Sequence, residues 1–222
     1  HAITYIPSLD LFLDSTATGT AAGYLPNLDL DKPVLLTRTG EMGHTPATQA
    51  GKESNELVFK VDDSGAADFT LAKRLEGWRA EFARAWIKSM KPADRDLMIQ
   101  KILHGYGQAG SGTLQTDALD SDAPSFNAMM VGRTDNLVSV PGPIGVPALS
   151  SLGGGIAQEV FGFAVEKDRT QAFTCISGET RETARFEFPK TLNILAVPKA
   201  VSLKGAGFEY SATYSREGNT VL

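Results

Sequence analysis

The sequence predicts an α+β fold that is mainly β. Three observations lead there. Stretches that alternate with period two, bounded by Gly, Pro, Asp and Ser, recur along most of the chain. Apolar spacings of three and four are confined to residues 78–106. The composition is that of a globular protein, with 222 residues, 42% of them apolar and 21% charged, enough to bury one or two cores. A net charge of −5 argues against a nucleic-acid partner, which selects a basic face. No apolar run is long enough to span a bilayer.

The chain opens on a hairpin. His1-Ala2-Ile3-Thr4-Tyr5-Ile6-Pro7 and Leu11-Phe12-Leu13-Asp14-Ser15-Thr16-Ala17 flank the turn formers Ser8, Leu9 and Asp10. Ile3, Tyr5 and Pro7 share one parity, while Leu11 and Leu13 face together with Phe12 opposite. An antiparallel pairing brings the histidine at one end towards the aspartate at the other. A carboxylate beside an imidazole holds its tautomer and stabilises its protonated form. His1 and Asp14 are therefore the candidate catalytic residues, as the orienting half of a nucleophile–His–Asp set. The bland alternative is a frayed terminal histidine and an aspartate that caps a turn.

Residues 18–26 read as a small-residue loop, residues 32–38 as a strand, and residues 39–46 as a loop in which His44 is a solvated loop histidine. Residues 56–61 and 67–75 form a hairpin around Asp62-Asp63-Ser64-Gly65. Trp78, Phe82, Ala85, Trp86 and Met90 then make a bulky stripe at helical spacing, expected to face the core. Pro92 suits the first turn of a second helix, with Leu97, Ile99, Ile102, Leu103 and Tyr106 as its apolar face and His104 at its end. The two helices are expected to form a hairpin on a sheet, and residues 108–112 a flexible linker. Beyond it, residues 113–118, 125–133, 137–140, 171–176, 183–188, 191–196 and 208–214 are candidate strands at sandwich-like intervals. Residues 141–155 read as an irregular connection before a possible short helix at 156–160. Val221 and Leu222 read as the start of a further strand.

The opening motif, His1 to Pro7 followed by Leu11 to Ala17, resembles the His and Asp segment of the bacterial transglutaminase-like superfamily. There a strand that starts at the catalytic His is followed by a short turn and a strand ending in a W/F-L-D-x-T pattern. Residues 185–189, 194–199 and 208–221 are similar to the β-rich C-terminal region of the DUF3857-associated envelope proteins of that superfamily. The match covers about the first thirty and the last forty positions. It implies three regions: 1–45, the last strands of a transglutaminase-like core; 46–112, a β-hairpin plus a helical hairpin; and 113–222, a β-rich, sandwich-like C-terminal domain.

The resemblance implies thioester acyl transfer. A thiolate attacks an amide carbonyl, His1 pairs with it and then protonates the leaving amine, and Asp14 holds the ring of His1. Water as acceptor gives hydrolysis, and a lysine amine gives a cross-link. The family's nucleophilic Cys precedes the His, whereas the one cysteine here, Cys175, lies in an apolar strand-like stretch typical of a small buried hydrophobe. The chain is accordingly expected to be a C-terminal fragment, inactive alone, whose partner is the N-terminal part that carries the Cys. The resemblance also implies a protein or peptide substrate and a periplasmic or envelope location.

No metal or cofactor is expected, because three scattered histidines and one cysteine lack the spacing of a zinc site. A reading from another class is a non-catalytic β-rich interaction module. A third is a copper protein that uses an N-terminal His1, which requires His44 or His104 as a second ligand.

Overall fold

A computed structural model of the chain describes every residue except 18, 19, 21, 22, 144, 147–155, 157–167, 169 and 171–176. The fold is α+β and mainly β. The first part is two small hairpins. β1 (Thr4–Ile6) pairs antiparallel with β2 (Leu11–Leu13), and β3 (Pro33–Leu36) with β4 (Glu41–His44). Their core is Phe12, Leu25 and Leu30, with Ile3, Tyr5 and Val34 packed around it. Leu28, Leu35 and Met42 remain exposed. The expected loop at 39–46 contains β4, because Gly40 in a left-handed turn folds the chain back onto β3.

The main element is a mixed seven-stranded sheet, ordered β12-β13-β9-β5-β6-β8-β7. Its strands are β5 (Gly51–Val61), β6 (Ala67–Gly77), β7 (Gly110–Thr116), β8 (Ser125–Thr134), β9 (Glu179–Glu187), β12 (Arg216–Glu217) and β13 (Thr220–Val221). β5 and β9 run parallel, and the other pairs are antiparallel. A separate hairpin joins β10 (Val201–Gly205) to β11 (Phe208–Ala212). The boundary expected at 112/113 falls inside β7, and strands from both sides of it share this sheet. Of the candidate strands expected at sandwich-like intervals, 113–118, 125–133 and 183–188 fall in β7, β8 and β9 of this sheet, whereas 208–214 falls in the separate β10–β11 hairpin.

One face of the sheet is apolar. Register places Leu57 opposite Leu71, Phe59 opposite Phe69 and Phe186, and Leu75 opposite Phe126. All of these are buried, and the Phe59 and Phe186 rings stack 5.0 Å apart. Helix α1 (Trp78–Ser89) packs on β5, β6 and β8, and helix α3 (Met98–Gly105) on β7 and β8.

The helices depart from expectation in two ways. The side of α1 turned to the sheet is Ala80, Arg84 and Ile87, with Ala83, whereas Phe82 and Trp86 are 65% and 48% exposed. At 100° per residue, positions 82 and 86 lie nearly opposite 80 and 84. The sheet beneath already carries Leu75 and Phe126, so small side chains fit there. Arg84 lies over the Phe126 ring and donates to the carbonyls of Ala123 and Ser125. The second expected helix is divided at Leu97 into α2 (Pro92–Asp96) and α3. Leu97 sits at φ −93°, ψ 0°, between helix and turn, and its side chain is exposed, as is that of Tyr106. Met98, Ile99 and Leu103 make the buried face instead.

The glycines expected to form a linker are part of β7. Gly112 pairs with Gly132 of β8. A Cβ on Gly112 would come within 2.8 Å of Ile99, and one on Gly132 within 2.7 Å of the Phe69 ring. The bare Gly112 lets Ile99 of α3 close onto the sheet, and the bare Gly132 leaves room for the Phe69 ring. Residues 137–140 and 191–196 are not strands. The Val138 N–H donates to the Gly65 carbonyl and its side chain enters the core, and residues 189–192 make a turn held by Asn219. The expected strand at 171–176 with Cys175, and residues 157–160 of the expected short helix, lie outside the described residues. No helix among the described residues is long and apolar enough to cross a membrane.

Two substitutions check the face assignment. Leu71→Ala, at a fully buried position, is expected to cost about 2–5 kcal/mol in denaturant unfolding. Trp86→Ala is expected to cost well under about 1 kcal/mol. Equal losses would contradict the orientation of α1.

Candidate functional site

The β1–β2 hairpin turns through a single 3₁₀ turn, Pro7–Leu9. Asp10 closes it in the left-handed region at φ 46°, a conformation that Asp tolerates better than most residues. The Tyr5 hydroxyl donates to Asp10 Oδ1 at 2.9 Å, and the Tyr5 and Phe12 rings, directly opposed in register, stack with centroids 4.4 Å apart. The register pairs Thr4 with Leu13. Continued one step, Asp14 falls opposite Ile3, and His1, of the same parity as Ile3, reaches it diagonally.

His1 Nε2 lies 3.2 Å from Asp14 Oδ2. The His1 side chain is about half exposed, whereas that of Asp14 is almost fully buried. Asp14 Oδ1 accepts from the Thr16 N–H at 2.9 Å and from the Thr16 hydroxyl at 2.7 Å. The Thr16 hydroxyl and N–H hold the Asp14 carboxyl below its ordinary value, against a smaller opposing effect of desolvation. Asp14 is thus ionised and fixed, with one oxygen anchored by Thr16 and the other turned to His1. Since Nε2 meets the carboxylate, Nδ1 is the ring nitrogen left to meet a reacting group.

A third residue completes the cluster and was not anticipated from the sequence. Asp29 Oδ2 lies 3.9 Å from His1 Nε2, and one donor atom from each of His1, Asp14 and Asp29 lies within 4.8 Å of the others. The 3₁₀ turn Asn27–Asp29 carries Asp29. Leu25 and Leu30 anchor the turn in the small core on either side, and Gln49 clamps the Leu25 N–H and C=O. The buried Thr45 hydroxyl donates to the Asp29 carbonyl at 2.6 Å and accepts from the Lys32 N–H at 2.8 Å. Burial raises the Asp29 carboxyl, and the Asp14 carboxylate, through a side-chain hydrogen bond and its charge, raises it further. Lys32 opposes this.

One imidazole and two carboxylates at this spacing form a donor set that a count of His and Cys alone does not reveal. No metal is assigned to them. Neither His44 nor His104 joins the cluster. His44, at the end of β4, has its Nδ1 3.5 Å from Asp31, and His104 is exposed in the last turn of α3. The second His that a copper site would need is therefore not beside His1. Another group of charges, Glu53 with Lys73, Arg79 and Asn55, is largely buried where α1 meets the sheet. Lys73 and Arg79 both pair with the Glu53 carboxylate, and the cluster serves the fold.

No family model, no curated protein and no solved structure matches this chain.

Thr16→Val removes the hydroxyl that holds Asp14 low, so the Asp14 midpoint is expected to rise towards the ordinary value of about 3.9 in a carboxyl ¹³C titration. The sign for stability follows. A depressed carboxyl stabilises the fold above its unfolded midpoint, and that stability is lost as pH falls through the folded one. The variant is accordingly expected to be less stable than the parent above about pH 4, with the difference closing as pH falls further. An unchanged midpoint would show that the Thr16 contact does not form.

Proposed function

We propose that this chain carries the His–Asp half of a transglutaminase-like thiol acyltransferase, with His1 as the proton carrier and Asp14 as the residue that orients it. The observation that carries the reading is the 3.2 Å approach of His1 Nε2 to a buried, Thr16-anchored Asp14 carboxylate. The resemblance of the opening motif to the superfamily's His and Asp segment supports it. Asp14 holds the neutral ring in the tautomer with hydrogen on Nε2. Nδ1 then takes the proton of a thiol, which leaves a thiolate–imidazolium pair stabilised by the carboxylate. The thiolate attacks an amide carbonyl, and the imidazolium returns its proton to the departing amine. Water or a second amine then releases the acyl group.

The thiol comes from a cysteine other than Cys175 in this reading, carried by an N-terminal part of the same protein. The substrate class is protein or peptide amide. The cell envelope is the location that goes with the resemblance. Without a thiol at His1 the chain has no turnover, because an oriented imidazole alone has nothing to activate.

The test uses the full-length product of the gene that encodes this segment. A cysteine upstream of His1 is expected to react with iodoacetamide at neutral pH, and His1→Ala and Asp14→Ala are expected to slow that reaction at least about tenfold. A product with no such cysteine, or one whose alkylation neither substitution affects, overturns the proposal.

A further inference from the structure

The outward side of α1 carries aromatic side chains that the core does not take in. Ala80, Arg84 and Ile87 fill the side turned to the sheet. Phe82 and Trp86, on the opposite side, are 65% and 48% exposed. Positions four apart on a helix are neighbours, so the two rings make one patch and not two isolated exposures. Aromatic side chains in such patches are common anchors of protein interfaces.

Two charged residues flank the patch on one side. At 100° per residue, Glu81 and Lys88 lie within about 20° of each other around the helix. Glu81 stands at the N-terminal end of the patch and Lys88 at the C-terminal end. Arg84 fixes the Glu81 carboxylate on that flank. Lys88 meets Asp120 at the surface, where both side chains are well exposed and such a pair is worth little. Lys88 is therefore available to a partner.

We propose that this face is a contact between two copies of the chain, with their α1 helices antiparallel about a two-fold axis that passes between residues 84 and 85. That single placement satisfies both features. It sets Phe82 against the partner's Trp86, and Glu81 against the partner's Lys88, and the symmetry repeats each contact. A parallel pair would instead set Lys88 beside the partner's Lys88. The order acid, aromatic, aromatic, base along one helix is thus complementary to its own reverse, which is what an isologous contact requires. The net charge of −5 opposes an anionic membrane as the occupant. The aromatic pair is a small anchor, so the dimer belongs with the weak, low-area contacts. The proposal is independent of the reading of His1 and Asp14.

The experiment is sedimentation equilibrium of this chain from about 1 µM to about 1 mM, the range over which a weak contact is read. A reversible monomer–dimer equilibrium is expected. Trp86→Ala is expected to raise the dissociation constant at least about tenfold. Lys88→Glu, which faces the partner's Glu81, is expected to raise it at least about threefold at low salt and less as salt is added. In dilute solution, where the chain is monomeric, Trp86→Ala keeps its small effect on unfolding, so a lost dimer is not mistaken for a lost fold. Cross-linking reads the direction. In a Cys175→Ser background, Ala85→Cys is expected to link two copies under mild oxidation, because Ala85 lies at the axis. Ser89→Cys is expected not to, because the antiparallel arrangement separates the two copies of residue 89 by about 13 Å along the helix, beyond the reach of a disulfide. A chain that stays monomeric throughout overturns the proposal, even if a different protein covers Trp86. So does a dimer that neither Trp86→Ala nor Lys88→Glu weakens, or one in which Ser89→Cys links as readily as Ala85→Cys.

Discussion

The pairing of Thr4 with Leu13 is the constraint on which the site depends. Side chains on a strand alternate between faces, so a slip of one residue would turn Asp14 away from His1. Several local features oppose such a slip. The Pro7–Leu9 turn with Asp10 in a left-handed conformation fixes the loop length, the Tyr5 hydroxyl ties the strand to Asp10, and Phe12 is buried against Leu25 and Leu30. The stacked Tyr5 and Phe12 rings lock the pair at the centre of the hairpin. The same small core that holds Phe12 also anchors the turn bearing Asp29. One apolar cluster therefore sets the relative positions of all three polar groups.

The large sheet stands apart from this chemistry. Its covered face is built from β5, β6, β8 and β9, with α1 over β5, β6 and β8 and α3 over β7 and β8. α1 approaches through Ala80 and Ala83, and α3 through the absence of a side chain at Gly112. Where α1 crosses the end of β5, the Glu53 carboxylate is desolvated, yet Lys73 and Arg79 keep it charged. Removing one partner from such a pair leaves a buried charge uncompensated, so the cluster constrains the orientation of α1.

Much of the fold was legible where a rule acts over neighbours in sequence. The hairpins at 3–14 and 56–75 follow from alternation interrupted by turn formers, and the helix after Trp78 from its period. What those rules do not supply is which face meets the core. Phe82 and Trp86 are the bulkiest residues of α1, but the sheet beneath them was already filled by Leu75 and Phe126. Gly110 and Gly112 looked like a linker because the reason for them, Ile99 on α3 and the partner strand β8, lies elsewhere in the chain. The same limit applies to the site. His1 and Asp14 are linked by a hairpin and could be paired from sequence. Asp29 comes from a nonperiodic loop, held in place by Leu25 and Leu30 together with the hydrogen bonds of Thr45 and Gln49. The sole local sign was Asn27-Leu28-Asp29 between Pro26 and Pro33, a short turn with nothing to show where it pointed.

The most direct measurement of the central claim is an experimental structure of this chain at neutral pH, read at the hairpin. It should place His1 Nε2 within hydrogen-bond distance of Asp14, with Asp29 next to Asp14 and Thr4 opposite Leu13. His1 and Asp14 on opposite faces of the hairpin, or more than about 6 Å apart, well beyond hydrogen-bond reach, would contradict the account.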